Sequence, residues 1–293
     1  MNIYEINKKI ARSLKEAGIE SGELDASVII AHVLGQDKTF ILSHPEFELG
    51  ETQKEKIQDL ANKRSKSVPI AYLTGHKEFF GYDFLVDERV LIPRPETEFL
   101  VEQALEFIKS KFHKVESQLN VLDVGTGSGC IIISLVESLP TQNSPLPTFC
   151  ATDISEKALI VARKNAKLHV VGDKINFFRS DLFANPRLPK MYDLIIANLP
   201  YVPREVESQK SKVKSIDFEP QDAIFADENG TEIINRFLAQ ASSKLNQNGL
   251  ILIELDPRNA IEIKKTAERY FPTAKIDLTK DLAGLQRYVS IRI

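Results

Sequence analysis

The chain has 293 residues, enough for two domains and a sizeable buried core, and its 43% hydrophobic and 27% charged residues are those of an ordinary globular protein. A formal net charge of -3 and a pI near 6.0 exclude an overall basic field for holding nucleic acid. Two cysteines, Cys130 and Cys150, exclude a disulfide framework and fit a reducing cytosol.

The first residues carry no signal-peptide core, and no apolar run approaches the length of a membrane span. The five histidines share no ligand spacing with cysteines or carboxylates, so no metal site is expected. Residues 1–75 read as a helical bundle that presents a surface. Ile3, Ile6, Ile10 and Leu14 recur at helical spacing, and Leu24, Ile29, Ile30, Val33 and Leu34 form a second stripe closed by Gly35. A third helix is predicted to open at Thr52 with Glu55 as a capping-box partner and to bury Ile57, Leu60 and Ala61. Lys63, Arg64 and Lys66 read as a solvated helix end.

Within 76–94, aromatic and β-branched residues around Gly81 predict a β-hairpin bridging two domains. Residues 95–293 alternate strand and helix signals. Strands are predicted over 120–124, 148–152, 174–178, 193–197, 250–255, 275–278 and 287–293. Helices are predicted over 130–139, 155–168, 259–270 and 231–245, the last ended by Asn248-Gly249. Apolar strands alternating with helices predict an α/β fold, a parallel sheet covered on both faces. The last two strands have no helix between them, so one must run antiparallel. The polar, proline-bearing stretch 141–147 reads as a solvent loop.

Asp123-Val124-Gly125-Thr126-Gly127-Ser128-Gly129-Cys130 joins the first of these strands to its helix. Alternate glycines let backbone approach a ligand closely, and the helix start offers free N–H groups. Asp153, ending the next strand, is placed to grip ribose hydroxyls; its alternative is a helix N-cap. Asp181 and Leu182 follow the third strand, where an acid can accept from an adenine amino group or serve as a plain loop acid. The dinucleotide fingerprint wants glycine or alanine where Cys130 stands, so the loop supports an adenosine cofactor while leaving NAD and S-adenosylmethionine both open.

Asn198-Leu199-Pro200-Tyr201 follows the fourth strand and resembles the [Asn/Asp]-Pro-Pro-Tyr signature of methyltransferases acting on planar nitrogens, among them DNA adenine and protein glutamine methyltransferases. An amide nitrogen is a poor nucleophile because its lone pair is delocalised. Two acceptors aimed at its N–H groups orient it and favour the positive charge of attack. Asn198 supplies a side-chain oxygen and Leu199 a backbone carbonyl. Pro200 holds Leu199 extended, and the Tyr201 ring can stack on the flat amide. Leu199 stands where the family usually has proline.

A longer match narrows the family. Tyr72-Leu73-Thr74-Gly75, Glu78-Phe79-Phe80-Gly81, Leu91-Ile92-Pro93-Arg94-Pro95-Glu96-Thr97-Glu98, Phe218-Glu219-Pro220 and Asp227-Glu228-Asn229-Gly230 together resemble the HemK-type release-factor glutamine methyltransferases, the PrmC family. The resemblance implies a helical recognition domain (1–75), a hairpin linker (76–94) and a seven-stranded, Rossmann-like class I methyltransferase domain (95–293). It implies methyl transfer from S-adenosylmethionine to a glutamine amide nitrogen in a GGQ-type loop of a peptide-chain release factor. Asp123, Gly125, Thr126, Gly127, Ser128, Gly129, Asp153, Asp181, Leu182 and Asn198 would bind the cofactor, and Asn198, Leu199, Pro200 and Tyr201 would carry the chemistry. It also implies a cytoplasmic enzyme, with a monomer expected and no direct nucleic-acid binding.

Four other readings stay open at this level. An adenine-N6 nucleic-acid methyltransferase would use the same loop, and the Lys210, Lys212 and Lys214 cluster keeps it in play. A ribosomal-protein glutamine methyltransferase shares the loop as well. A nicotinamide oxidoreductase and a non-catalytic binding module complete the set.

Overall fold

The computed structural model describes residues 1–111, 118–140, 147–204 and 214–293. The predicted loop at 141–147, apart from Pro147, and the lysines Lys210 and Lys212 lie outside the described residues, as does the Lys214 side chain. The described chain divides into two units, one of Met1–His76 with Lys214–Phe218, the other from Lys77 onward without that short 3-10 helix.

The first unit holds α1 (Ile3–Glu16), α2 (Gly22–Leu34), α3 (Lys38–Ser43), α4 (Glu51–Ser65) and α5 (Ile70–Thr74). Asn2 opens α1 with a capping box: its side chain accepts from the Glu5 N–H while the Glu5 carboxylate accepts from the Asn2 N–H. Ile3, Ile6, Ile10 and Leu14 of α1 pack with Ile29 and Ile30 of α2 and Ile57 and Ala61 of α4 in one apolar cluster. Helices this short are stable only through such burial.

Three expectations for this unit are corrected. Helix α4 starts one residue earlier than Thr52, and Gln53 rather than Glu55 closes it by accepting from the Gly50 N–H. Leu24 is exposed, because the five residues to Ile29 rotate it about 140° around the helix from the buried face. Arg64 is not part of a solvated end: its Nε donates to the buried Asp25 carboxylate at 2.7 Å, a long-range pair invisible to helical periodicity.

In the second unit, β1 (His76–Phe79) and β2 (Tyr82–Leu85) form the predicted hairpin. Phe80 and Gly81 both take positive φ at its turn. A 3-10 turn at Pro95–Thr97 leads into α6 (Glu98–Lys111). The main sheet then follows the chain as β3 (Asn120–Val124), α7 (Cys130–Ser138), β4 (Thr148–Asp153), α8 (Glu156–Leu168), β5 (Ile175–Arg179) and β6 (Tyr192–Ala197). Two short strands, β7 (Val202–Pro203) and β8 (Phe225–Ala226), pair with each other. The chain ends with α9 (Glu232–Ala241), β9 (Leu245–Glu254), α10 (Ala260–Tyr270), β10 (Lys275–Lys280) and β11 (Gln286–Arg292).

The seven-stranded sheet has the order β10-β11-β9-β6-β3-β4-β5. Strands β9, β6, β3, β4 and β5 run parallel, while β11 is antiparallel to both its neighbours, as the missing helix between the last strands required. Apolar side chains bury both faces. Val121, Leu194, Ile196 and Leu252 pack with α6 and α7 on one side, and Leu122, Ile195, Ile251 and Ile253 pack with α9 and α10 on the other. The helix predicted over 231–245 stops at Ala241, and Asn248-Gly249 lies inside β9 rather than at a helix end. Leu245 is buried and pairs with Tyr192; the register shift that follows is absorbed by Asn248 at φ 60°.

Candidate active site

The chain order places the point where strand order reverses between β3 and β6, the place where open α/β sheets bind ligands at the carboxyl ends of their strands. Ala197 pairs with Val124 on one side and Ile253 on the other. The next residues, Gly125, Asn198 and Glu254, therefore leave three adjacent strands side by side.

The glycine loop is tied to β4. The N–H groups of Gly125 and Thr126 donate to the Thr152 carbonyl at 2.8 and 2.9 Å. The Gly127 N–H donates to Asp153 Oδ2 at 2.9 Å, and Asp153 Oδ1 accepts from the Ser155 N–H. Asp153 thus braces the loop, while Ser155 is the N-cap of α8 and accepts from the Ala158 N–H. Burial pushes the Asp153 carboxyl above the usual carboxylate range, against the pull of the N–H donors.

The three loop glycines serve different needs. All have positive φ. A Cβ on Gly129 would lie 2.9 Å from Ile133 Cδ1 and 3.3 Å from Ala162 Cβ, so this glycine lets α7 and α8 pack closely. A Cβ on Gly125 would meet Leu199 Cδ2 at 3.0 Å. Gly127 alone faces open space, the position where a ligand can come down on backbone.

Asp123 is fully buried beneath the loop. Its Oδ2 accepts from the Thr126 hydroxyl at 2.7 Å, and its Oδ1 has no hydrogen-bond partner among the described residues. Burial first, and the neighbouring Asp153 charge second, raise its carboxyl to about 7. Ser128 is buried with its carbonyl held by Asn165 Nδ2, and Asn165 also bonds both the N–H and the carbonyl of Leu85 in the hairpin. An open glycine face on a braced loop, with a buried carboxylate beneath it, fits the zwitterionic amino-acid end of S-adenosylmethionine.

Asp181 stands apart from this set. It follows β5 on an exposed surface, and its Oδ2 accepts from Arg236 of α9 at 2.5 Å. Leu182 beside it is buried with φ 50°.

Asn198 and Tyr201 converge on one buried group. Asn198 Nδ2 donates to Thr97 Oγ1 at 3.0 Å and to Glu254 Oε2 at 3.2 Å. The Thr97 hydroxyl donates to the same Oε2 at 2.7 Å, and the Tyr201 hydroxyl to Glu254 Oε1 at 2.9 Å. Burial raises the Glu254 carboxyl above its ordinary range, with the Thr97 and Tyr201 donors opposing. The Tyr201 phenol is likewise pushed up by burial and by Glu254. Leu199 is buried, its side chain set against Gly125, so packing restrains the loop where a second proline would otherwise do so. Behind the loop, a Cβ on Gly230 would fall 2.1 Å from the Tyr201 carbonyl oxygen; only glycine lets these backbones meet. Glu219 is buried and accepts from the Ile92 N–H and from Arg94 at 2.5 Å, fixing the stretch that leads to Thr97.

Reading the sequence missed Thr97 and Glu254. The available signal was a single carboxylate at the carboxyl end of an otherwise apolar strand, which burial makes costly unless donors satisfy it.

This sheet order, with a glycine loop after its first strand and an acceptor loop after its fourth, defines a class I methyltransferase domain. The Methyltransferase domain family matches residues 115–279, and the PrmC N-terminal domain family matches residues 5–75. A release factor glutamine methyltransferase of Rhodopirellula baltica is 36% identical over 95% of this chain and 92% of its own length. Another, from Leptospira interrogans, is 36% identical over 98% of this chain and 97% of its own. The chain belongs to the release factor glutamine methyltransferase family. Among solved structures, the hMettl16 catalytic domain bound to an RNA hairpin shares the fold with a TM-score of 0.55 at 16% identity, covering 80% of each chain.

Proposed function

We propose that this enzyme methylates the side-chain amide nitrogen of a glutamine in a peptide-chain release factor. One observation carries the assignment within this chain. Strand register brings the Asn198 loop and the glycine loop out together at the sheet's switch point, with Leu199 packed on Gly125. Full-length relatives named for this activity support it.

S-adenosylmethionine, when bound, supplies an electrophilic methyl group. Gly125, Gly127 and Gly129 shape the bed for its amino-acid end. Asp123, buried beneath the loop, would favour its ammonium group electrostatically, and the end of β4 at Asp153 would meet its ribose. Asp181, held by Arg236 on an exposed surface, and Leu182 would meet the adenine after the end of β5. Asn198 Oδ1 accepts one N–H of the substrate amide and the Leu199 carbonyl the other, turning the nitrogen lone pair towards the methyl carbon. Tyr201 packs its ring on the amide plane. With the cofactor bound, the amide nitrogen would take the methyl group from the sulfonium, leaving a neutral thioether, and would lose its proton to water afterwards, so the chain needs no strong base.

The helical unit is the proposed recognition surface, with Met1–His76 as its body and the hairpin as the linker. A surface cavity of about 830 Å³ on it is lined by Ile3, Tyr4, Leu24, Ile41 and Leu42, with Lys8 and Arg12 among its charged residues, and this supports a protein ligand. No helix among the described residues is long and apolar enough to cross a membrane. A release-factor substrate implies a cytoplasmic enzyme, and a monomer suffices for the chemistry.

The test is methyl transfer from radiolabelled S-adenosylmethionine to purified release factor, with ribosomal protein and duplex DNA in parallel. Label on the release factor, lost when its glutamine or Asn198 is replaced by alanine, is the expected result. Label on DNA, or on no substrate despite cofactor binding, overturns the proposal.

A further inference from the structure

Asn198 can do its work only if its amide faces the right way round. The oxygen and nitrogen ends of an asparagine have the same shape, so packing cannot choose between them; hydrogen-bond partners must. The Asn198 Nδ2 group is held on one side by two acceptors it shares, Thr97 Oγ1 at 3.0 Å and Glu254 Oε2 at 3.2 Å, which themselves lie 2.7 Å apart. Thr97 has a single hydroxyl proton and gives it to Glu254, so towards Asn198 it is an acceptor. A carboxylate only accepts. Rotating the Asn198 amide by half a turn would set its oxygen against two lone-pair-bearing oxygens and leave its nitrogen pointing away. The arrangement in place leaves Oδ1 without a donor among the described residues.

We infer that Glu254, acting with Thr97, is the positioning residue that fixes Asn198 as an acceptor and so sets the site to receive an NH2 group. Glu254 does not touch the substrate. It sits at the end of β9, fully buried, in register with the strand that delivers Asn198. Its other oxygen holds the Tyr201 hydroxyl, so one carboxylate orients both side chains that meet the amide. The donors it receives come from two segments, around Thr97 and around Asn198 and Tyr201, and meet the acceptor on β9, which makes the site's polarity a product of tertiary contact. A glutamate side chain in place of the substrate glutamine would bring oxygen against oxygen at Asn198 and be refused, so the same network contributes selectivity for amide over acid.

This inference rests on the reading of Asn198 as the residue that holds the substrate amide. It is tested with the full chain in Thr97→Val, Thr97→Ser, Glu254→Gln and Asn198→Ala variants. Steady-state methylation of release factor, calorimetric binding of S-adenosylmethionine and thermal unfolding are measured for each. Side-chain amide resonances of Asn198 in the ligand-free protein, assigned by their absence in Asn198→Ala, report the hydrogen bonds directly. Thr97→Val and Glu254→Gln are expected to lower kcat by about 10- to 100-fold. The KM for release factor and the cofactor affinity should stay within about twofold. Their Asn198 amide protons should exchange fast, whereas Thr97→Ser keeps kcat and slow exchange.

Unchanged kcat in both Thr97→Val and Glu254→Gln, beside an inactive Asn198→Ala, overturns the positioning role and leaves the proposed function standing. A loss in Thr97→Ser matching that in Thr97→Val, with equal drops in unfolding temperature, makes the contact merely structural and also overturns it. An active Asn198→Ala removes the underlying reading instead.

Discussion

Two buried carboxylates flank the candidate active site; burial raises both, but the chain satisfies them differently. Glu254 receives donors on both oxygens, from Thr97, Asn198 and Tyr201. Asp123 receives the Thr126 hydroxyl on one oxygen and leaves the other without a partner among the described residues. Desolvating a carboxylate costs several kcal/mol unless donors or a cation compensate. Glu254 has donors on both oxygens within the fold and so acts as scaffold. Asp123 has a donor on one oxygen only, the pattern of a carboxylate kept for more than the fold.

The largest effect that would break this contrast is in Glu254→Ala. Removing the shared acceptor strands three donors in a dry region, and a loss of roughly 3–6 kcal/mol is expected, read by urea unfolding at neutral pH. A loss below about 1 kcal/mol would mean that Glu254 is not the scaffold described here.

Asp123 provides the next test, through pH. Its carboxyl is raised from 3.8 to about 7, so the folded state favours the neutral form. The stability this group contributes is fully present below its unfolded value and is lost as pH rises through about 7. Asp123→Asn cannot ionise, so relative to wild type it should gain up to about 4 kcal/mol between pH 4 and pH 8 in the ligand-free protein. Parallel stability curves across that range would show that the buried carboxyl is already compensated.

The smallest effects sharpen the division of labour within the glycine loop. Gly127→Ala meets no neighbour and should lose only about 1 kcal/mol for its left-handed backbone, yet weaken S-adenosylmethionine binding by calorimetry. Gly129→Ala drives its Cβ into Ile133 and Ala162, and its cost should appear in unfolding first. Equal stability losses in the two would show that neither position is kept for a ligand.

Much of the second unit was legible because it is written in local patterns. Runs such as Leu194, Ile195 and Ile196 announce buried strands, and three glycines in five residues announce a backbone turn too close for side chains. Asn198-Leu199-Pro200-Tyr201 marks the acceptor loop wherever the fold places it. Capping was harder: Gln53 could be told from Glu55 only once the start of α4 was known. The Asn248-Gly249 pair looks like a helix stop, and only the pairing of Leu245 with Tyr192 turns it into a bulge within β9.

By itself, the sequence determined the alternation of strands and helices, the antiparallel last pair, the glycine loop and the acceptor loop, because each depends on residues close together in the chain. Only tertiary structure decided that Arg64 serves Asp25, that Leu199 is braced by Gly125, and that Glu254 and Thr97 govern the direction of Asn198. Those partners lie 39, 101 and 56 residues apart where hydrogen bonds join them. Their pairing is enforced by the cost of burying an unmatched polar group, a cost that exists only after the chain has folded.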